Sequence, residues 1–281
     1  MKKENIQNFL NKFRTFLISF LFIILGALCV KNSAHATKYN NVQIGNFTYN
    51  LDNSDKTAIV TKYNPGFLSK LLSSTVTIPE TVEYKNAKFS VKTIGIEFLK
   101  DNVKIKKVIG KSIKDIYQYA FSDCNGLKSV NFPNVTCIDV HAFDSSGLTS
   151  ADFPNAIEIS SNAFNGCVYL EDINFPNATH IKNLAFKNCQ NLTNINLPKA
   201  NWIGERAFAN CNSLKSIEAP NLTNCAQDIF GGLPEGVTFK VPLSMKNFGL
   251  EKLPNGDKIN IVYIGDTDKS SWGKKRHCQN I

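Results

Sequence analysis

Apolar positions through the middle of this 281-residue chain return in a single register. Ile116, Ile138, Ile159, Ile181 and Ile203 each open a copy of Ile-x-x-x-Ala-Phe-x-x-Cys-x-x-Leu-x-x-Val-x-Phe-Pro, and the starts differ by 22, 21, 22 and 22 residues. Five copies in one register predict a solenoid, because each unit buries its apolar side only against its neighbours. Such a stack presents a long surface instead of one closed pocket. Surfaces of that kind mostly bind.

The columns assign the interior. Ala120, Ala142, Ala163, Ala185 and Ala207 share one position, and Phe121, Phe143, Phe164, Phe186, Phe208 and Phe230 share the next. Leu127, Leu148, Leu170, Leu192 and Leu214 fill a third. The alternation after each of these predicts one short strand per coil, with Val130, Ala151, Ile173, Ile195 and Ile217 turned inward, followed by Phe132, Phe153, Phe175, Leu197 and Ala219. A proline closes each strand (Pro133, Pro154, Pro176, Pro198, Pro220), where its fixed φ and missing N–H suit the end of pairing. The fold class expected is an α/β-type repeat solenoid of leucine-rich repeats, with coils of about 22 residues and a parallel sheet on the concave face.

The Ala-Phe-x-x-Cys-x-x-Leu run with its strand-ending proline resembles the BspA-like leucine-rich repeat family of cell-surface proteins. The resemblance covers residues 94 to 245, and the stretches Thr77-Ile78-Pro79-Glu80 and Phe89 to Gly95 are similar to the lead-in before a first repeat. Three copies depart from the pattern: the one from Ile94 has Phe98-Leu99 for Ala-Phe, and the one from Cys225 has Ile229. The Ile138 copy is one residue short, with Ser146 in the cysteine position. Degenerate end copies are what capping requires, since terminal coils face water on one side. The resemblance implies a secreted or surface-associated protein that adheres to host or extracellular proteins or to other cells.

The flanks predict four parts. Residues 1–36 form a signal peptide, with a basic start (Lys2, Lys3, Lys12, Arg14), an apolar run from Phe16 to Val30 and the small-x-small site Ala34-His35-Ala36. Residues 37–93 form an N-terminal β-hairpin cap, with one hairpin turning at Asp52 to Lys56 and a second at Lys85 to Lys88. Residues 94–245 are the repeats. Residues 246–281 make a C-terminal cap and tail, the stack being closed by strands at Val237–Pro242 and Ile259–Ile264. No second apolar run is long enough to span a bilayer, so no transmembrane segment is expected after cleavage.

Charge and chemistry narrow the function. The formal charge is +9, and removing the five Lys/Arg and one Glu of the signal leaves +5. The lysines read as scattered along the chain, apart from Lys274-Lys275-Arg276 in the tail, and no nucleic-acid partner is expected. Cys124, Cys167, Cys189 and Cys211 share a repeat position also held by Ser146 and Asn102, which predicts buried free thiols instead of disulfides. Of the cysteines off that column, Cys137, Cys225 and Cys278, only Cys278 is expected to be exposed. Hydrolase and phosphate-loop motifs are absent. No catalytic residue, cofactor or metal is expected, a Cys137 pair with His141 or His180 being the remaining enzymatic arrangement. Asn46, Asn134, Asn177, Asn191 and Asn221 open Asn-x-Thr triplets, explained most simply by repeat consensus.

The outward strand positions form the candidate ligand face: Ser129, Asn131, Ser150, Asp152, Asp172, Asn174, Asn194, Asn196, Ser216 and Glu218, a polar and slightly acidic ribbon. The column preceding each repeat start, Cys137, Glu158, His180, Trp202 and Asn224, keeps no residue type. It supplies His180 and Trp202 as further candidates. An extracellular protein ligand is the expected partner, with a self-assembling surface component as the alternative.

Overall fold

The computed structural model describes residues 38–66 and 73–265. The signal peptide, the basic tail cluster and Cys278 lie outside the described residues. Each coil contributes two short strands, not one. The first row follows the leucine column and consists of β4 (Thr75–Thr77), β7 (Lys107–Ile109), β9 (Ser129–Asn131), β11 (Ser150–Asp152), β13 (Asp172–Asn174), β15 (Asn194–Asn196), β17 (Ser216–Glu218), β19 (Thr238–Pro242) and β20 (Asn260–Ile264). The second row alternates with it along the chain: β6 (Ala87–Ile94), β8 (Asp115–Ile116), β10 (Cys137–Ile138), β12 (Glu158–Ile159), β14 (His180–Ile181), β16 (Trp202–Ile203) and β18 (Asn224–Cys225). Both rows are parallel from coil to coil.

The repeat-opening isoleucine sits on the second row, fully buried, and the chain then turns through Ala-Phe. That corner is stitched by backbone: the Phe121, Phe143, Phe164 and Phe186 N–H groups each donate to the alanine carbonyl of the next coil at 2.8 Å. Leu99 makes the same bond to Ala120, so Leu99 occupies the phenylalanine position in the degenerate first coil. The alanines Ala120, Ala142, Ala163, Ala185 and Ala207 are fully buried beside the rings of the inner coils, while the end coils place Phe98 and Ile229 there.

Behind the corner the rings stack. Phe121, Phe143, Phe164, Phe186 and Phe208 lie 5.0–5.5 Å apart with planes within 9° of parallel. A second file, Phe132, Phe153 and Phe175 from the strand ends, interlocks with the first at 5.7–6.0 Å. All eight rings are at most 1% exposed. Each buries enough area to contribute several kcal/mol, and tilted to edge-to-face contacts join the two files.

The cysteine column closes the next corner. Cys124 Sγ donates to Leu99 O at 2.9 Å, and Cys167, Cys189 and Cys211 donate to Phe143, Phe164 and Phe186 carbonyls at 3.1–3.2 Å. The thiols are buried and free, as the interchange with serine predicts. The residue before each cysteine position is left-handed: Asp101, Asp123, Ser145, Gly166, Asn188, Asn210 and Gly232 all have φ between 55° and 74°. Asp, Asn and Gly tolerate that region best. A second left-handed site, before each alanine, falls on Glu97, Tyr119, His141, Asn162, Leu184 and Arg206 with φ of 49–60°.

The N-terminal cap is antiparallel. β1 (Lys38–Ile44), β2 (Phe47–Asp52) and β3 (Thr57–Tyr63) form a meander, and β5 (Thr81–Tyr84) pairs with β6 around a turn at Lys85-Asn86. β3 then pairs parallel with β6, so the cap continues the second row instead of lying across the stack. At the other end β19 and β20 extend the first row. Three 3-10 turns (Leu243–Phe248, Leu250–Lys252, Gly256–Lys258) lie between them.

The solenoid matches expectation, while its α component does not: among the described residues there is no α-helix. Helix length is the reason. The span from each isoleucine to the cysteine is eight residues or fewer and carries two left-handed positions, leaving no room for a hydrogen-bonded helical run. The first row also breaks. Strand pairing lapses between β9 and β11 and between β13 and β15, and the inward residues Val130 and Ile173 beside these lapses are half-buried instead of buried.

Candidate interaction surfaces

All ten ribbon candidates lie on the outward side of the first row. Ser129, Asn131, Ser150, Asp152, Asp172, Asn174, Asn194, Asn196, Ser216 and Glu218 are exposed or half-buried, alternating with inward apolar residues. Neighbouring coils tie some of them together: Asn174 Nδ2 donates to Asp152 Oδ1 at 2.8 Å and Ser216 Oγ to Asn194 Oδ1 at 2.8 Å. Glu218 pairs with Lys240. The register adds Lys107 and Lys240, which sequence reasoning left out, because β7 and β19 belong to the same row. The ribbon is therefore acidic only in its middle.

The second row aligns the other candidates. Asp115, Cys137, Glu158, His180, Trp202 and Asn224 stand in register on successive strands. His180 and Trp202, both half-buried, meet at a shallow depression of about 420 Å³ that Lys182, Asn201, Thr223 and Asn224 complete. His180 Nδ1 is held 2.9 Å from Thr179 Oγ1, and Lys182 reaches Glu158 at 3.4 Å. The depression is open and polar, with one aromatic wall. It can take a side chain or a sugar ring, not a buried cofactor.

The sequence pattern of the BspA type leucine rich repeat region matches in six copies, over residues 68–170, 92–202 and 179–270. The chain belongs to this family. Solved structures are similar at low identity. A leucine rich cell surface protein from Faecalibacterium prausnitzii is 20% identical, with TM-score 0.46, over 75% of this chain and 72% of its own. A leucine-rich repeat protein from Bacteroides ovatus is 20% identical, TM-score 0.39, over 80% and 78%. The leucine rich repeat protein of T. pallidum is 20% identical, TM-score 0.44, over 62% and 91%. Among curated proteins nothing matches the chain.

In this BspA-type stack the Asn-x-Thr triplets have a structural role. Asn134, Asn177 and Asn221 each donate Nδ2 to a backbone carbonyl of the preceding coil at 2.6–2.7 Å, and Thr136, Thr179 and Thr223 donate Oγ1 to another at 3.1–3.3 Å. Asn155 does the same without a threonine. The asparagine thus satisfies a carbonyl at the proline turn, while the threonine hydroxyl adds a bond to a carbonyl that already accepts backbone N–H groups of the next coil.

Burial pushes Cys124 and Cys167 up to about 12 and Cys225 to about 11, so each is protonated at neutral pH. Cys137 corrects an expectation: it is exposed, because it points outward from the second row. Partial desolvation, then the carboxylates of Asp115, Asp139 and Glu158, raise its pKa too. The cysteine–histidine pair is not formed. His141 Nδ1 bonds Asp144 Oδ2 at 2.7 Å and its ring stacks on Tyr119, while His180 lies two strands from Cys137, about 10 Å at the usual interstrand spacing.

Charge is zoned along the solenoid, which corrects the view of the lysines as scattered. Residues 85–128 hold ten lysines against four acids, whereas residues 129–181 hold six acids and no Lys or Arg. Stacking turns these sequence blocks into a basic end and an acidic belt. No helix of the described residues is long and apolar enough to cross a membrane.

Proposed function

We propose that the chain is exported with cleavage after Ala36, stays at the cell surface or is released, and binds an extracellular protein through the middle of the strand ribbon, mediating adhesion. The four parts at 1–36, 37–93, 94–245 and 246–281 are the corresponding division. The observation carrying this reading is that β11 and β13, paired in parallel register, hold outward polar side chains over two interlocked files of buried rings. A rigid floor lowers the ordering cost of binding. Asp152, Glu171 and Asp172 make the ribbon acidic at its centre, so the partner surface it fits is basic.

The depression at His180 and Trp202 supports a second contact on the adjacent row, since a half-buried indole in a polar rim is the composition of an interface anchor. The test is capture of extracellular proteins on immobilised mature chain, repeated with Asp152→Asn/Glu171→Gln/Asp172→Asn and with Trp202→Ala. Loss with the first variant supports the ribbon and loss with the second supports the depression. Unchanged capture by both removes the two faces. Terminal sequencing of exported protein checks the cleavage: Thr37-Lys38-Tyr39 is expected, and retained Met1 would contradict it.

A further inference from the structure

The basic end carries a continuous lysine track. Lys128 N donates to Lys106 O at 2.8 Å, and Lys114 N to Lys92 O at 2.7 Å, so each pair sits on neighbouring coils, about 4.8 Å apart by strand spacing. Lys107 follows Lys106 on β7, and the chain then passes through Lys111 at the turn to Lys114. Four residues span at most about 14 Å between Lys107 and Lys111, and three span at most about 11 Å between Lys111 and Lys114. The order Lys128, Lys106, Lys107, Lys111, Lys114, Lys92 thus runs from the ribbon, around the turn, to the second row.

All six are exposed or half-buried, and none has a carboxylate within ion-pair distance among the described residues. Lys128 instead lies 4.4 Å over the Tyr169 ring. The nearest acid in sequence, Asp115, is half-buried and turned toward Thr93. Uncompensated like charges at this spacing raise the cost of the folded state, and an anionic ligand removes that cost.

We propose that this track binds a linear anionic polysaccharide, gripped by its sulfate or carboxylate groups. The track is narrow, bends around an edge and is bounded by the acidic belt from Asp139 to Asp172, which repels a polymer that overruns it. Duplex nucleic acid is too stiff to follow the bend, and single strands favour a run of aromatic platforms, whereas at the track only Tyr169 lies against a lysine among the described residues. Arginine, the usual bidentate phosphate ligand, is missing from it. The site is separate from the acidic middle of the ribbon, so it stands or falls independently of the protein-binding reading.

The test uses the full mature chain on dextran sulfate, with uncharged dextran and duplex DNA as comparators. Retention on dextran sulfate alone, or far above DNA, is expected. By counterion release, raising salt from about 50 to about 200 mM should weaken six contacts roughly 10³-fold but two contacts only about tenfold. The variant Lys106→Gln/Lys107→Gln/Lys111→Gln/Lys128→Gln should therefore bind weakly with a flattened salt dependence, at a thermal midpoint equal to or above that of the parent. A second variant, Lys274→Gln/Lys275→Gln/Arg276→Gln, should bind as the parent does. Equal retention on DNA would overturn the polysaccharide assignment. Loss of binding with the tail variant, or none with the track variant, would overturn the site.

Discussion

Two rows of strands run through the same coils, yet one is unbroken from β6 to β18 and the other lapses twice. The short coil shows how an error is contained. Its missing residue falls between Ser146 and Leu148, after the second row and the Ala-Phe corner and just before β11. Upstream, the corner bond from Phe143 to Ala163 keeps the 2.8 Å of its neighbours, while downstream the pairing of β9 with β11 is lost. The lapse between β13 and β15 has no such cause, since that step is a regular 22 residues. Backbone continuity frees the outward position of the second row to carry Cys, Glu, His or Trp. The ribbon rests more on the packing beneath it.

That difference predicts a common dependence on the ring files. Phe186 contacts Phe164, Phe175 and Phe208, and is fully buried. Phe186→Ala should cost about 3–5 kcal/mol, because neighbouring coils cannot collapse into the cavity without breaking their own corner bonds. Urea denaturation measures it, and amide exchange should speed up in both rows. An unchanged midpoint would mean that the stack is not core.

Gly147 separates the rows more finely. A Cβ there would lie 2.1 Å from the Asn125 carbonyl, so the short coil passes its neighbour too closely for any side chain. Gly147→Ala should cost about 1–3 kcal/mol through displaced backbone. Exchange should accelerate around β9 and β11 but change little at β10 and β12. Equal acceleration in both rows would show that the coils shift as rigid units.

The interior columns were legible because every coil presents the same steric problem. Alanine beside a ring, a thiol under a carbonyl and proline at a strand end are each the cheap solution, so they recur. The second row was not legible, since two residues give no alternation and Cys137, Glu158, His180, Trp202 and Asn224 share no property. The left-handed site at Asp123, Gly166, Asn188 and Asn210 had a visible composition, whereas the one at Tyr119, Leu184 and Arg206 had none. Lysine zoning was present in the sequence, but total charge conceals it. Only stacking shows that Lys92 and Lys114, 22 residues apart, are neighbours.

The thiol column gives a pH-dependent test of the interior. In the folded chain Cys167 titrates near 12, while an unfolded thiol titrates near 9, so the folded state holds the proton between those values. Its contribution is complete below about pH 9 and is lost as pH rises toward 12. Cys167→Ser should cost about 1 kcal/mol or less at neutral pH, since Ser146 already serves one coil. Between about pH 8 and pH 10.5 the parent midpoint should fall further than that of the variant. Parallel curves would place the thiol in contact with water.

The smallest effect on stability is expected at the ribbon surface, where the outward side chains bear least on the packing. Asp172 is exposed on β13, opposite Ser150 in register, and makes no ion pair among the described residues. Asp172→Asn should shift stability by no more than about 0.5 kcal/mol. Glu218→Gln should cost slightly more, because it leaves Lys240 without its partner. Even so, an exposed pair contributes only about 0–1 kcal/mol. The functional order should be the reverse: with a captured basic ligand, Asp172→Asn should slow association at low salt, whereas Glu218→Gln, already neutralised in the parent, should not. Stopped-flow rates at two salt concentrations decide it. If the two variants slowed association equally, the centre of the ribbon would lose its claim to be the contact and the whole row would have to be treated as one surface.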